Sequence, residues 1–221
     1  MDKSLIISRH TTILFLAIFV VMELPIRLFL QPDPWLLPVD HWYFSQPSRL
    51  FIELGLGAVL TVVLFQGNRL LLTIPREHVV LLLISMLVSL LIFGVLEFDQ
   101  LTASLDAPLL LWLAWLATGF LIGVGQELLY RGLLFTSLNN FLTERISGVA
   151  TTVIFVFAPL HSVRLWEYFQ SGHFSTVVIL IGIYIGVGTF FQWLRSHTGS
   201  VAIPALVHGV GNAITWVAVF S

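Results

Sequence analysis

The stretch APLLLWLAWLATGFLIGVGQ, residues 107–126, is the part of the sequence that decides the fold. It carries no charged side chain over 20 positions, and about 20 apolar residues are what an α-helix needs to cross a bilayer. The next residues, ELLYR at 127–131, place a carboxylate and a guanidinium directly after it. The stretch therefore predicts a transmembrane helix that ends in ionisable groups at membrane depth.

The composition of the whole chain also indicates a membrane protein. Of 221 residues, 57% are hydrophobic and only 10% are charged, whereas soluble domains carry roughly 25% charged residues. Seven stretches lack Asp, Glu, Lys and Arg, namely 11–22, 54–68, 79–96, 107–126, 146–160, 174–194 and 199–221. We interpret them as seven transmembrane helices of an all-α polytopic bundle, with six to eight helices compatible with the pattern.

The positions of the basic residues predict an orientation in the membrane. Cytoplasmic loops carry an excess of Lys and Arg. With a cytoplasmic N-terminus, the basic residues on the inner side are Lys3, Arg9, Arg69, Arg76, Arg131, Arg145 and Arg195, and those on the outer side are Arg27, Arg49 and Arg164. We therefore expect an integral membrane protein with its N-terminus in the cytoplasm.

Two classes of function are disfavoured by composition. The sequence contains no cysteine, which excludes thiolate nucleophiles and Cys-ligated metals. It also contains no basic tract of the kind that binds nucleic acid.

Three short polar motifs interrupt the apolar segments of the C-terminal half. They are QELLYR at 126–131, FAPLH at 157–161 and HGVGN at 208–212. An ionisable side chain at the bilayer centre costs roughly 2.5–3.5 kcal/mol on insertion scales and usually marks function. Two histidines and a carboxylate resemble either a metal site or an acid–base site that activates water, although the zinc-protease pattern H-E-x-x-H is absent.

Spacing within the motifs predicts which side chains share a helix face. Glu127 and Arg131 are four residues apart, as are His208 and Asn212, so each pair lies on one face. Gln126 points about 100° away from Glu127 around the helix. Each motif alone also fits a structural role, such as an ion pair between helices or a histidine bonded to a neighbouring helix.

Three further residues are candidates for substrate binding. Phe157 lies one turn before His161 and could form a wall of a pocket. Gly209 and Gly211 would let a substrate backbone, or simply another helix, approach closely.

The three motifs together resemble those of the CPBP family, also called the Abi family. Its pattern is E-E-x-x-x-R, then F-x-x-x-H, then H-x-x-x-N, on separate membrane helices. The resemblance covers about residues 107–216, so we divide the single membrane domain into N-terminal scaffold helices, 1–106, and a CPBP-like core, 107–221. Members are similar to the type II CAAX prenyl protease and to bacterial proteins linked to bacteriocin processing and immunity.

The resemblance implies a glutamate-type intramembrane endopeptidase that needs no metal or other cofactor. In the family, the first Glu of the pair and the histidine of the second motif activate a water. These two positions are Gln126 and His161 in this chain. The second Glu and the Arg, here Glu127 and Arg131, would support the site. The last-motif His and Asn, here His208 and Asn212, would stabilise the tetrahedral oxyanion.

This chain departs from the family pattern at the position of the catalytic base. Gln126 has the shape of Glu but cannot take a proton at neutral pH, whereas a general base must titrate. Three interpretations stay open: an engineered Glu-to-Gln change, a natural homologue that binds without cleaving, or Glu127 acting as base after a helix rotation of about 100°. We expect the chain as written to be catalytically poor.

The sequence therefore predicts an intramembrane peptidase acting on a membrane-associated peptide or protein, in contact with the lipid bilayer. Its small size favours a prokaryotic member, in the plasma (inner) membrane. A non-catalytic binding or immunity protein of the same family is the main alternative. A transporter fits less well, because transporters usually repeat broken helices in both halves. A prenylated C-terminus, a leader peptide and a C-terminal anchor all remain possible substrates.

Overall fold

The computed structural model describes residues 7–31 and 48–219, and all regular secondary structure in these ranges is helical. We number the helices in chain order and give their bounds here: α1 Arg9–Leu30, α2 Ser48–Leu72, α3 Arg76–Leu96, α4 Phe98–Ala103, α5 Leu109–Leu138, α6 Glu144–Val156, α7 Pro159–Gln170, α8 Phe174–Thr198 and α9 Ala202–Val219. The predicted all-α polytopic bundle is confirmed.

Five of these helices, α1, α2, α3, α5 and α8, are long and apolar enough to cross a membrane. The pair α6 and α7, bent by 50°, can count as a sixth span. The count is thus five or six where the sequence predicted seven. The predicted seven also included residues 199–221, where the structure has α9, a shorter apolar helix within the described residues. Gly199, with φ of 69°, ends α8 in a left-handed conformation that suits glycine.

Two of the spans contain a π-helical segment. In α1 it covers Met22–Ile26 and includes Pro25, whose missing N–H prevents a regular ladder. In α5 it covers Leu128–Leu134, directly after Glu127 and around Arg131. A π-segment inserts an extra residue into a turn and is frequent at functional sites. Here it lies in the first polar motif.

The chain breaks between α6 and α7, where the sequence predicted one helix loosened at Pro159. Helix α6 ends at Val156, and Pro159 occupies the first turn of α7, where its lack of an N–H costs nothing. Pro204 likewise lies in the first turn of α9, which begins at Ala202. Most of the proline-rich loop 31–49 lies outside the described residues.

Helices α5 and α9 pack at very short range through glycines. A Cβ at Gly123 would lie 2.8 Å from the backbone of His208 and Gly209, and one at Gly119 would lie 2.5 Å from the Asn212 carbonyl. Small residues allow such backbone approach between membrane helices. This packing brings the first and third polar motifs together.

We expect Gly123→Ala to destabilise the protein by about 1–3 kcal/mol, because the new methyl group would meet backbone that cannot move aside. Gly125→Ala is the matched control, since nothing lies within 4 Å of the position of its Cβ, and better helix propensity predicts no loss of stability. Thermal unfolding in detergent measures both. Equal unfolding temperatures for the two variants would contradict the close packing.

Candidate active site

The centre of the site is the carboxylate of Glu127, which has no exposed surface. Its Oε1 accepts from Arg131 Nη1 at 3.1 Å and from His208 Nδ1 at 2.8 Å. The first contact is the predicted pair along α5, and the second joins α5 to α9. A buried carboxylate is tolerated in an apolar environment when it is paired and hydrogen-bonded in this way.

Arg131 is also fully buried and extends the site to α8 and α6. Its Nη2 donates to the Gly188 carbonyl at 2.8 Å, and its guanidinium lies 4.6 Å from the centre of the Phe155 ring. A guanidinium over an aromatic face is attracted by the ring quadrupole. Arg131 therefore joins α5, α6 and α8 around one positive charge.

His208 is held between Glu127 and aromatic rings. Its imidazole stacks on Phe191 with a centroid distance of 4.6 Å, and it approaches Phe155 edge-on at 6.5 Å. Because the Glu127 carboxylate accepts the Nδ1 hydrogen, Nε2 is the ring nitrogen left for other partners.

His161 lies on the other side of the helix break and reaches the site through Phe155. Its Nδ1 donates to the Phe155 carbonyl at 2.7 Å, which lies in the last turn of α6 and also accepts the Ala158 N–H at 3.2 Å. The ring meets Phe155 edge-on at 5.1 Å and stacks on Tyr184 at 4.1 Å. Because a carbonyl can only accept a hydrogen bond, the hydrogen of the neutral imidazole must be on Nδ1. The lone pair is then on Nε2.

The remaining motif residues are less closely tied to this centre. Gln126 and Asn212 are half-buried, and within the described ranges neither side chain makes a hydrogen bond. No hydrogen bond joins Gln126 to His161 there. The roles that the family resemblance implies for Gln126, His161, His208 and Asn212 stay predictions.

Phe157 does not lie on the same helix as His161, because α6 ends before it and α7 begins after it. Its side chain is 57% exposed, whereas Phe155, two residues earlier, is only 4% exposed. Phe155 is therefore the phenylalanine that packs against His161 and His208. A role of Phe157 in substrate binding stays a prediction.

Gly209 and Gly211 lie where helices touch. A Cβ at Gly209 would lie 2.8 Å from the Phe120 ring, and one at Gly211 would lie 2.7 Å from the Phe93 ring. The protein's own packing therefore accounts for both glycines. A role in substrate binding stays a prediction.

The N-terminal helices contribute a second buried polar network, which the sequence analysis did not assign. Tyr130 donates from its hydroxyl to Glu23 Oε1 at 2.7 Å, and Arg27 donates to Glu23 Oε2 at 3.3 Å. The Tyr130 ring meets Phe155 edge-on at 5.2 Å. Helix α1 therefore contacts Tyr130, which packs against Phe155 next to the site.

A second buried ion pair of this kind lies on α2. Arg49 Nε and Glu53 Oε1 are 3.0 Å apart, and Gln31 donates to Glu53 Oε2 at 2.8 Å. The Arg49 guanidinium lies 4.8 Å from the Trp216 ring centre on α9. The signal for both networks was present in the sequence as Glu–Arg and Arg–Glu pairs, four residues apart within apolar spans.

Metal binding was one interpretation of the histidines and the carboxylate. Across 7–31 and 48–219, no group of three or more His, Asp or Glu side chains is arranged to hold a metal ion. Glu127 and His208 are in contact, whereas His161 is turned to the Phe155 carbonyl and to Tyr184.

The family model described as type II CAAX prenyl endopeptidase Rce1-like matches residues 108–214. These residues, just under half of the chain, are therefore similar to the Rce1-like family. The resemblance inferred from the three motifs is thereby confirmed, and all three lie inside the matched range. Neither a curated protein nor a solved structure matches the chain.

The match to the Rce1-like family implies a protease, that is, a hydrolase of peptide bonds. The apolar helices imply that it acts as an integral membrane protein. The buried site of the Rce1-like domain lies on α5, α6, α7, α8 and α9, and α1 supports it from outside the matched range.

We expect Arg131→Met to destabilise the protein by about 3–5 kcal/mol, because Glu127 would remain buried with an uncompensated charge. Arg145→Met is the matched control, since Arg145 is exposed and surface changes usually stay within about 0.5 kcal/mol. Unfolding in detergent with increasing denaturant measures both. A small loss for Arg131→Met would show that the pair is not essential to the fold.

We expect Tyr130→Phe to cost about 1–3 kcal/mol, because it leaves the buried Glu23 carboxylate without one of its donors. Tyr168→Phe changes the same atoms on α7, where the hydroxyl makes no hydrogen bond to the described residues, and should be neutral. The same unfolding assay compares the two. Equal effects would mean that the bond to Glu23 is not stabilising.

Proposed function

We propose that this protein is an intramembrane endopeptidase for a membrane-associated peptide or protein, and that with Gln126 it hydrolyses poorly. The observation that carries the proposal concerns the first motif. Its carboxylate, Glu127, is fully buried and engaged by Arg131 and His208, which suits a supporting role. The family's base position holds Gln126, an amide that cannot take a proton.

The histidines support peptide-bond chemistry at this site. His161 has its Nδ1 hydrogen bound by a carbonyl, so Nε2 can accept a proton from an attacking water. The half-buried amide of Asn212 lies one turn beyond His208 on α9 and could donate to a developing oxyanion. The missing component is the carboxylate that the family pattern places at position 126, where this chain has an amide.

Glu127 acting as the base is a second mechanism, favoured by one observation. Its Oε2 is buried and, among the described residues, has no hydrogen-bond partner. Buried polar atoms are normally satisfied, so this oxygen could hold a water without the helix rotation considered above. The same chain would then be an active enzyme that uses the second acidic position.

A binding role without cleavage is the alternative from another class. A protein that only binds a peptide would need the same buried site and the same membrane helices but no general base. The amide of Gln126 is compatible with such a role. Cleavage and binding must therefore be measured separately.

We also propose a cytoplasmic N-terminus, in a prokaryotic plasma membrane. Two of the three basic residues that oppose this orientation, Arg27 and Arg49, are buried in pairs with Glu23 and Glu53. Paired basic residues inside the bundle do not act as topology signals in loops. Arg131 and Arg195 on the inner side are buried as well. Without all four, the basic residues change from seven inner and three outer to five inner and one outer, so the charge asymmetry is stronger.

We expect Gln126→Glu to raise cleavage by about 10²–10⁴-fold, the usual contribution of a positioned general base. The assay uses membranes containing the full-length protein and a panel of three substrates: a prenylated C-terminal peptide, a leader peptide and a hydrophobic C-terminal anchor. Gln126→Ala is the matched control and should stay as inactive as the native chain. Crosslinking to each peptide measures binding in parallel.

Two results would change the conclusion. If Gln126→Glu leaves every bound peptide intact, the chain is a binding protein. If the native chain cleaves and Glu127→Gln abolishes cleavage while the fold is retained, Glu127 is the base.

A further inference from the structure

A cavity of about 380 Å³ lies at one end of the bundle, and none of its lining residues belongs to the three polar motifs. Its wall includes the end of α2, the end of α5, the start of α6 and the α8–α9 connection, through residues such as Leu70, Asn139, Glu144 and Ser200. These are the ends of membrane spans, so the cavity lies at the level where acyl chains give way to headgroups and water.

The cavity is built around a buried cation. Arg195, in the last turn of α8, is 3% exposed and lines the cavity. It donates from Nε to the Arg131 carbonyl at 3.2 Å and from Nη2 to Thr136 Oγ1 at 3.5 Å. No carboxylate of the described residues forms a salt bridge with it, although Glu144 on the same wall interacts with it electrostatically; buried arginines normally have a salt-bridge partner.

Three hydroxyl groups around the cavity are available as donors. The side-chain oxygens of Thr136, Ser196 and Ser200 each accept a hydrogen bond, from Arg195 Nη2, Gln192 Nε2 and the Ala202 N–H. None of the three donates to a described residue. A hydroxyl that accepts one bond still has its hydrogen to donate, so the cavity offers three neutral donors beside one guanidinium.

We propose that this cavity binds the phosphate group of an anionic phospholipid. A guanidinium with several hydroxyl donors matches the oxygens of a phosphate. The same end of the bundle carries Arg9, Arg69, Arg76 and Arg145, and clustered basic residues attract anionic lipid surfaces. Exposed Trp193 and Phe141 at this end suit contact with the interfacial region of the bilayer.

Two groups on the cavity wall modify this charge. Glu144 is the acidic residue among the lining side chains; it is exposed at the start of α6, so water screens its repulsion of an anion. His197 is exposed and stacks on Trp193 at 5.2 Å, where it can add positive charge when protonated.

The site is connected to the candidate active site through the backbone. Arg195 holds the carbonyl of Arg131, whose side chain fixes Glu127. A phosphate drawn to Arg195 would therefore act on the π-segment Leu128–Leu134. The proposal itself concerns binding and does not depend on whether the protein cleaves peptides.

The experiment follows the unfolding temperature of the purified full-length protein in detergent, titrated with dioctanoyl phosphatidylglycerol. Dioctanoylglycerol, which lacks phosphate, and inorganic phosphate are the two other probes. We expect the phospholipid to raise the unfolding temperature of the native protein in a saturable way. Dioctanoylglycerol should not, and inorganic phosphate should act only at much higher concentration.

Variants of exposed residues locate the site. Ser196→Asp puts a negative charge on the wall and should raise the half-saturating lipid concentration about tenfold or more, since opposing charges in a partly shielded site repel strongly. Ser175→Asp is the matched control on the same helix at the opposite end, and it should bind as the native protein does. Glu144→Gln removes the competing carboxylate and should tighten binding about two- to fivefold, a gain that unfolding cannot produce.

Several results would overturn the proposal. One is the absence of any shift with phosphatidylglycerol, and another is an equal shift with dioctanoylglycerol. Equal responses of Ser196→Asp, Ser175→Asp and Glu144→Gln would place the lipid elsewhere. An equal shift by inorganic phosphate at the same concentration would overturn the lipid as the source of the phosphate.

Discussion

The structure depends on one carboxyl group that is buried inside an apolar bundle. Glu127 cannot be solvated by lipid, so its Oε1 must be satisfied by protein donors, and these come from Arg131 and His208. Because the two donors belong to different helices, the requirement fixes α9 against α5. Gly119 and Gly123 make the short distance sterically possible. Electrostatics and small-residue packing thus determine the same helix contact.

Irregular backbone lies where the polar side chains need it. The π-segment of α5 surrounds Arg131 and leaves the Arg131 carbonyl to accept from Arg195. The end of α6 leaves the Phe155 carbonyl to accept from His161. In a membrane protein such departures are tolerated only where other groups of the protein satisfy the backbone. The aromatic ring of Phe155 then fills the space between these polar contacts.

The sequence was sufficient for the fold class and for the inner pair of the site. Uninterrupted apolar stretches predicted the helices, and the four-residue spacing predicted that Glu127 and Arg131 would meet, because both features depend only on local periodicity. The motifs predicted a common site but not the contact between His208 and Glu127. Spacing along the chain does not determine how two helices are rotated against each other.

Other features could not be obtained from local patterns. The break at 157–158 turned Phe157 outward and Phe155 inward, and a single proline did not distinguish a kink from two helices. The bond between Tyr130 and Glu23 joins residues 107 positions apart, and the cavity at Arg195 is formed by four helix ends and the connections next to them. Such contacts follow from tertiary packing, which overrides what each segment would adopt alone.

The bond between Glu23 and Tyr130 also has an evolutionary consequence. The matched range 108–214 does not contain the acceptor of its own Tyr130 hydroxyl, because that acceptor lies on α1. A lineage that lost the carboxylate at position 23 would be left with an unsatisfied phenol in the bilayer, unless position 130 changed as well. Among close homologues, the two positions should therefore covary, and a gene fusion that exchanged the N-terminal helices would have to bring a compatible partner for that tyrosine.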